Sequence, residues 1–167
     1  MLNFFDQAFQ EKPLNNSQFG LCDNEDGTVA FTNTMNKDKW IATVENPNGL
    51  TLVFTAIDKG VIKNGEYSDY ERCDGMLTSD NHLYLVFVEL KNERGEWIQK
   101  GISQLESTIK LFDGAHPEKK KQYTHKKAYV CNKKHLCFHE IDNEQNLKFF
   151  RAYRFRLDIQ AKISLAM

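Results

Sequence analysis

An apolar run that ends in charged residues constrains this chain more than any other feature of its sequence. Residues 83–88, LYLVFV, are apolar without alternation, which is typical of a strand buried on both faces of a sheet. Glu89, Leu90 and Lys91 follow directly. Burying a charged side chain costs free energy unless another group pairs with it. The sequence therefore predicts a partner for the charges at the end of this strand.

The composition is that of an ordinary globular protein and not that of a disordered or strongly basic chain. The 167 residues carry a formal net charge of -1, with 41% hydrophobic and 27% charged residues, so the chain as a whole is not strongly basic. Its sequence has no signal-peptide pattern and no apolar run near the roughly 20 residues that cross a bilayer. The four cysteines form no CxxC pair, as expected for reduced thiols. We expect a cytoplasmic protein without a membrane partner.

Residue patterning predicts one α/β (α+β) domain over residues 1–167, built on a mixed central sheet flanked by helices. Residues 2–11 predict a short amphipathic helix, and residues 97–112, whose apolar side chains fall within about 140° of arc, predict a longer one packed on the sheet. Residues 147–160 fit either a strand or a short helix. The segments predicted as strands are rich in β-branched or aromatic residues and are bounded by turn formers: residues 28–33, 39–46, 50–57, 66–77 and 83–88, and two strands joined by a turn within 126–141.

The two strands 66–77 and 83–88 predict a hairpin closed at residues 78–81. With that closure Asp74 lies across from residue 85 or 86. A bulge or splay at Gly75 is then required to bring the Asp74 carboxylate near Glu89.

Glu89 and Lys91 are two residues apart on a strand, so their side chains project from one face while Leu90 points to the other. Two carboxylates, of Asp74 and Glu89, and the backbone carbonyl of Leu90 are suitable ligands for Mg²⁺. Lys91 is placed to orient a water or to stabilise negative charge on a phosphoryl oxygen. The pattern therefore predicts metal-assisted hydrolysis of a phosphodiester.

This arrangement resembles the PD-(D/E)xK nuclease-like superfamily. Asp74 matches the first acid, Glu89 the second and Lys91 the lysine of the motif, and Gln104 matches a helix glutamine that many members carry. Cys73 stands where the name-giving pattern has proline.

The resemblance covers residues 50–130, with an N-terminal helix and strands before it and a C-terminal extension after it. It implies a restriction-endonuclease-like core and hydrolysis of nucleic acid, with DNA as the expected substrate and Mg²⁺ or Mn²⁺ as the cofactor. A further carboxylate often assists, and Asp58, Glu66 and Glu71 are candidates.

Two other interpretations stay open. In the first, the fold is a catalytically inactive relative that serves as a nucleic-acid-binding or protein-interaction subunit, as a homo-oligomer or within a larger complex. In the second, Glu89 and Lys91 form a surface ion pair and Asp74 is a turn residue. A second Glu-x-Lys, at residues 118–120, follows a proline among lysines and is expected to be solvated.

A strip of lysines with interleaved tyrosines is predicted to contact a phosphate backbone beside the metal site, the alternative being a solvated loop. The residues Cys131, His135, Cys137 and His139 suggest zinc, but ligands at alternate strand positions spread over about 13 Å, so we expect no zinc site. The candidate nucleic-acid-binding residues are Lys119, Lys120, Lys121, Lys126 and Lys127.

Overall fold

The computed structural model describes residues 1–135 and 143–166, in which two mixed β-sheets pack beside two helices. The elements, in chain order, are β1 (Gln18–Cys22), β2 (Phe31–Asn33), β3 (Ala42–Glu45), β4 (Leu52–Ala56), β5 (Gly75–Ser79), β6 (Tyr84–Lys91), α1 (Trp97–Ala115), β7 (His125–Asn132), α2 (Asn143–Tyr153), β8 (Arg156–Ile159) and β9 (Lys162–Ser164).

The five-stranded sheet has the order β4-β5-β6-β7-β8, and the four-stranded sheet has the order β2-β1-β3-β9. In the larger sheet β4, β5 and β6 are antiparallel, whereas β7 and β8 run parallel to β6. The crossover from β6 to β7 is made by α1, as a parallel connection requires. The prediction of a mixed α+β domain is confirmed, with two sheets where one was expected.

Strand β6 is the middle strand of the larger sheet, and this sheet lies between a layer of helices and the four-stranded sheet. Its residues Leu85 and Phe87 belong to a core shared with α1, α2 and the N-terminal segment. Tyr84, Val86 and Val88 belong to a second core between the two sheets. Both faces of β6 are therefore buried, which explains why its sequence shows no alternation.

The helix predicted for residues 97–112 is confirmed and extends to Ala115. Residues 147–160, which fitted a helix or a strand, contain the end of α2 followed by β8. No helix among the described residues has the length and apolar character needed to cross a membrane.

The helix predicted for residues 2–11 is wrong, since only a 3-10 turn at Gln7–Phe9 forms there. The end of this segment instead pairs with the outer edge of β4, where the Glu11 N–H donates to Phe54 O at 2.9 Å. Phe4 is fully buried, 5.2 Å from the Phe112 ring. Edge hydrogen bonds and the buried aromatic ring outweigh the weak helical pattern of this segment.

Two strand predictions differ from the structure for identifiable reasons. Residues 66–73 form a loop that is held by Arg72, whose guanidinium donates to the carbonyls of Lys63 and Glu66. Strand β1 was missed because Gly20 interrupts its sequence. A Cβ at Gly20 would lie 2.0 Å from the Trp40 ring, so packing of the indole excludes any other residue. The second strand predicted within 126–141 extends into residues outside those described.

Two glycines of α1 test how tightly this helix packs on the sheet. A Cβ at Gly101 would lie 2.5 Å from Val130 Cγ1, whereas a Cβ at Gly114 would meet nothing within 4 Å. We expect Gly101→Ala to lower the free energy of unfolding by about 1–2 kcal/mol, because overpacking against a stiff valine outweighs the gain in helix propensity.

Urea unfolding measures both effects, with Gly114→Ala as the matched control. We expect the control to be neutral or up to about 1 kcal/mol more stable than the parent. A Gly101→Ala variant that gains stability in the same way would contradict the packing described here.

Candidate active site at the end of strand β6

The β5–β6 hairpin closes two residues later than predicted. Thr78 pairs with Leu85 and Gly75 pairs with Val88, so the turn lies at residues 80–83 and not at 78–81. The expectation that Asp74 faces residue 85 or 86 is therefore wrong. In this register Asp74 already lies beside the end of β6.

The backbone bends at Asp74, immediately before β5. Gly75 is the pairing partner of Val88, and the N–H of Asp74 donates to the Val88 carbonyl at 3.1 Å. Two consecutive residues thus face one residue of β6, which is the pattern of the bulge predicted at Gly75. A Cβ at Gly75 would lie 2.3 Å from Phe54 Cζ, so the core also requires glycine here.

The bend brings the Asp74 carboxylate to the β6 strand. Its Oδ2 accepts a hydrogen bond of 2.8 Å from the backbone N–H of Leu90. Burial raises the pKa of Asp74 to about 7, although this hydrogen bond acts in the opposite direction. Burial therefore favours the neutral form of the Asp74 carboxyl group in the folded protein.

Glu89 is the second acid of the site, and only 3% of its surface is exposed. Burial raises the pKa of Glu89 well above its ordinary value, and the nearby charge of Asp74 raises it further. Lys91 opposes this shift, with its Nζ 3.1 Å from Glu89 Oε2. Asp74 and Glu89 thus converge, and one lysine faces the two carboxyl groups.

Gln104 of α1 completes the cluster. Its Oε1 accepts a hydrogen bond of 2.6 Å from Lys91 Nζ, and its Nε2 donates to the Arg72 carbonyl at 3.3 Å. One helical turn later, the Thr108 hydroxyl accepts from the Cys73 N–H at 2.8 Å. Helix α1 therefore fixes both the lysine and the segment that carries Asp74. The four residues predicted from the sequence form one connected group.

The donors at this site fit a divalent cation. Glu89 Oε1 is buried and has no hydrogen-bond partner among the described residues. Val88 O faces β5 and Lys91 O accepts from Lys133 N on the opposite edge, so strand alternation turns the Leu90 carbonyl toward the edge that carries Asp74. No group of three or more His, Cys, Asp or Glu residues in the described ranges is arranged to bind a metal. Mg²⁺ needs only one or two carboxylates, since it keeps several waters.

A third and a fourth acid influence the site from a distance. The charges of Asp23 and Asp58 raise the pKa of Asp74, and Asp58 has its own pKa raised by burial. Arg72 lies at the rim, with its Nε 3.8 Å from Asp58 Oδ1. Of the candidates for a further carboxylate, Asp58 is the one near the pair. Asp23 follows the unpredicted strand β1, and no spacing in the sequence indicates it.

The interpretation of Glu89 and Lys91 as a surface ion pair is wrong about where the pair lies, because both side chains are largely buried. The pair exists, but the side chains are only 4% and 13% exposed. Asp74 is likewise buried at the start of β5 and is no part of a turn. The solvated copy of the motif behaves as predicted, since the Glu118 side chain is 77% exposed and pairs with Lys121.

The lysine strip lies at the other end of the sheet from the carboxyl pair. Lys126 and Lys127 pair with the first half of β6, next to Leu85 and Val86. Leu85 and Val86 lie four and three residues from Glu89, about 10–13 Å at the usual rise of a strand. The prediction that the strip lies beside the metal site is therefore wrong, because the parallel β7 starts where β6 starts.

Individual lysines of the strip differ in their surroundings. Lys119 lies over the Phe5 ring, and Lys120 forms an ion pair with Asp113 at 3.0 Å. Cys131 and His135 of the rejected zinc set are described, and Cys131 is fully buried, whereas Cys137 and His139 lie outside the described residues.

No protein-family model matches this chain, and no curated protein or solved structure matches it either. The relation to the PD-(D/E)xK nucleases therefore stays a prediction from the residues named above.

The raised pKa values of the pair make a prediction for stability. Between about pH 4 and pH 7 the folded protein binds more protons than the unfolded chain, so its stability falls as the pH rises through this window. Glu89→Gln removes one of the two charges and keeps the side-chain shape. We expect it to be more stable than the parent by about 1–3 kcal/mol at pH 8, with less difference at pH 4.5.

Urea unfolding at the two pH values measures this difference. Glu71→Gln, which changes an exposed carboxylate, is the control and should leave the pH dependence unchanged. A Glu89→Gln protein that is less stable than the parent at pH 8 would show that the Glu89 charge stabilises the fold.

Proposed function

We propose that this protein is a nuclease that hydrolyses phosphodiester bonds with the help of Mg²⁺ or Mn²⁺. The proposed substrate is DNA. Support comes chiefly from one observation: Asp74 and Glu89, 15 positions apart in the sequence, converge in a buried site beside one lysine. Two carboxyl groups are rarely buried side by side unless a ligand or a reaction uses them.

Burying two carboxyl groups side by side does not help this fold. The pKa values of both are raised, so the folded state disfavours their charged forms. Lys91 supplies one positive charge against the two acids. Retaining such a pair at a cost in stability is typical of functional sites. A divalent cation supplies the charge that the pair lacks.

Asp74, Glu89 and the carbonyl of Leu90 are the proposed ligands. A bound Mg²⁺ would polarise a phosphoryl oxygen and stabilise the charge that develops on it. Lys91 adds a fixed ammonium group for the same developing charge. Gln104 acts as a positioning residue, since its hydrogen bond of 2.6 Å holds Lys91 Nζ beside the pair.

A second candidate function is nucleic-acid or protein binding without catalysis, with this protein as a subunit of a larger assembly. The low exposure of the two acids favours a function without catalysis, because only 3% of Glu89 and 9% of Asp74 is accessible to a substrate. The rim is more open, and the Asp58 side chain is 30% exposed. A cleavage assay separates the two functions.

Substitutions that neutralise one acid give the sharpest test of catalysis. We expect Asp74→Asn and Glu89→Gln to reduce Mn²⁺- or Mg²⁺-dependent nicking of supercoiled DNA by about 100-fold or more, since each removes a charged ligand while the fold gains stability. Lys91→Met should cost about 100-fold in rate, because it removes the ammonium group proposed to face the phosphate, while both carboxylate ligands stay in place.

The substitution Glu71→Gln serves as the control, because Glu71 is exposed and lies outside the cluster. Cleavage that persists in both Asp74→Asn and Glu89→Gln would exclude this site as the nuclease centre. A parent protein that binds Mn²⁺ but leaves DNA intact would establish the binding function instead.

A further inference from the structure

A cationic cleft opens at the end of the larger sheet that is remote from Asp74 and Glu89. Its volume is about 550 Å³, within the range of ligand-binding pockets. It lies where β6 and β7 begin and where α2 passes into β8. None of the described residues that line it is acidic, and six carry a positive charge: Lys120, Lys121, Lys126, Lys127, Arg154 and Arg156.

The cations of this cleft are not all equally available. Lys120 pairs with Asp113 at 3.0 Å and Lys121 with Glu118 at 3.4 Å. Among the described residues, Arg154 and Arg156 form no ion pair with a carboxylate, and both are exposed.

Lys126 and Lys127 complete the available set. Lys126 Nζ donates to a carbonyl, that of Tyr123, at 2.8 Å. Lys127 lies over the Tyr84 ring, and burial lowers its pKa, while the charge of Asp158 opposes that shift. Four cations therefore remain to attract a negatively charged ligand.

An aromatic ring lies among these charges. Phe150 of α2 lines the cleft and is 39% exposed. The Arg154 guanidinium lies 5.7 Å from the centre of this ring. Phe150 and Arg156 also line a neighbouring cavity of about 510 Å³, so the ring stands between two open spaces. A large apolar ring exposed within a cationic cleft is suited to stack on a flat ligand.

The backbone of Arg154 supports a role for its side chain. Arg154 directly follows α2 and lies in the left-handed region, with φ +65°, where glycine is usual after a helix. Its N–H donates to the Phe150 carbonyl at 2.7 Å, which closes the last turn. A residue other than glycine is strained in this conformation. Its presence here indicates that the positive charge of Arg154 has a function.

We infer that this cleft binds single-stranded nucleic acid, with phosphates held by Lys126, Lys127 and Arg156 and a base stacked on Phe150. Cations that follow a backbone together with an aromatic ring that accepts any base are the usual features of single-strand binding. A duplex hides the faces of its bases, and an acidic peptide does not need the ring. The inference does not rest on catalysis at Asp74 and Glu89, since Glu89 lies five residues from Tyr84, about 17 Å away along β6.

Fluorescence anisotropy with labelled dT15 and rU15, in EDTA and at several salt concentrations, tests the inference. We expect Phe150→Ala to weaken binding about tenfold or more. Arg156→Gln should reduce the slope of log K against log salt by about 0.7, the value for one phosphate contact of a single strand. The two oligonucleotides distinguish DNA from RNA as the ligand.

Three control proteins make the result specific to the cleft. Phe150→Tyr keeps the ring and should keep the affinity. Lys110→Gln removes an exposed cation of α1 outside the cleft and should leave binding unchanged. Glu71→Gln changes an exposed carboxylate outside the cleft and should also bind as the parent does. Because the assay contains EDTA, a failure of the nuclease proposal leaves this result intact. Equal binding by Phe150→Ala and the parent, tighter binding of a 15-base-pair duplex, or equal binding of poly-glutamate would each overturn the inference.

Discussion

The structure at the end of β6 depends on the bend that places Asp74 against the Leu90 N–H. This hydrogen bond of 2.8 Å holds a carboxyl group beside Glu89, in a place that water barely reaches. The helix α1 is then tied to the same point through Gln104 and Lys91. Asp74 and Glu89 can hydrogen-bond each other when one of them is protonated. When both are charged they repel one another, and the frame then holds them in place.

The sequence predicted the mixed α+β class and named four residues that lie together at the end of β6, but it did not predict several of the segments around them. The shared face of Glu89 and Lys91 follows from strand periodicity, which is local, whereas Gln104 was proposed from the resemblance to the nuclease superfamily. The register of the hairpin depends on which of several polar residues form the turn. The sequence did not distinguish a turn at 78–81 from one at 80–83. The position of Asp23 depends on packing of two sheets, and the extended N-terminal segment depends on the open edge of β4. Such contacts between distant segments are not encoded in local patterns.

Strand β6 connects two different chemical environments. Its beginning lies in a cationic cleft with an exposed aromatic ring, and its end carries the buried acids. The parallel pairing of β7 with β6 fixes this separation, since the lysines at the start of β7 must lie at the start of β6. In our account one end of the sheet holds a strand of nucleic acid and the other end holds a cation that serves hydrolysis.

We propose that Asp74 and Glu89 bind one divalent cation, and the release of protons on binding is the first quantity to measure. Because burial raises the pKa of both Asp74 and Glu89, we expect a cation that binds their charged forms at pH 6 to displace protons. Calorimetry with Mn²⁺ in two buffers of different ionisation enthalpy should show about one proton or more released per ion, and Glu89→Gln should lose most of the affinity. Binding without proton release, or equal binding by the variant, would contradict the claim.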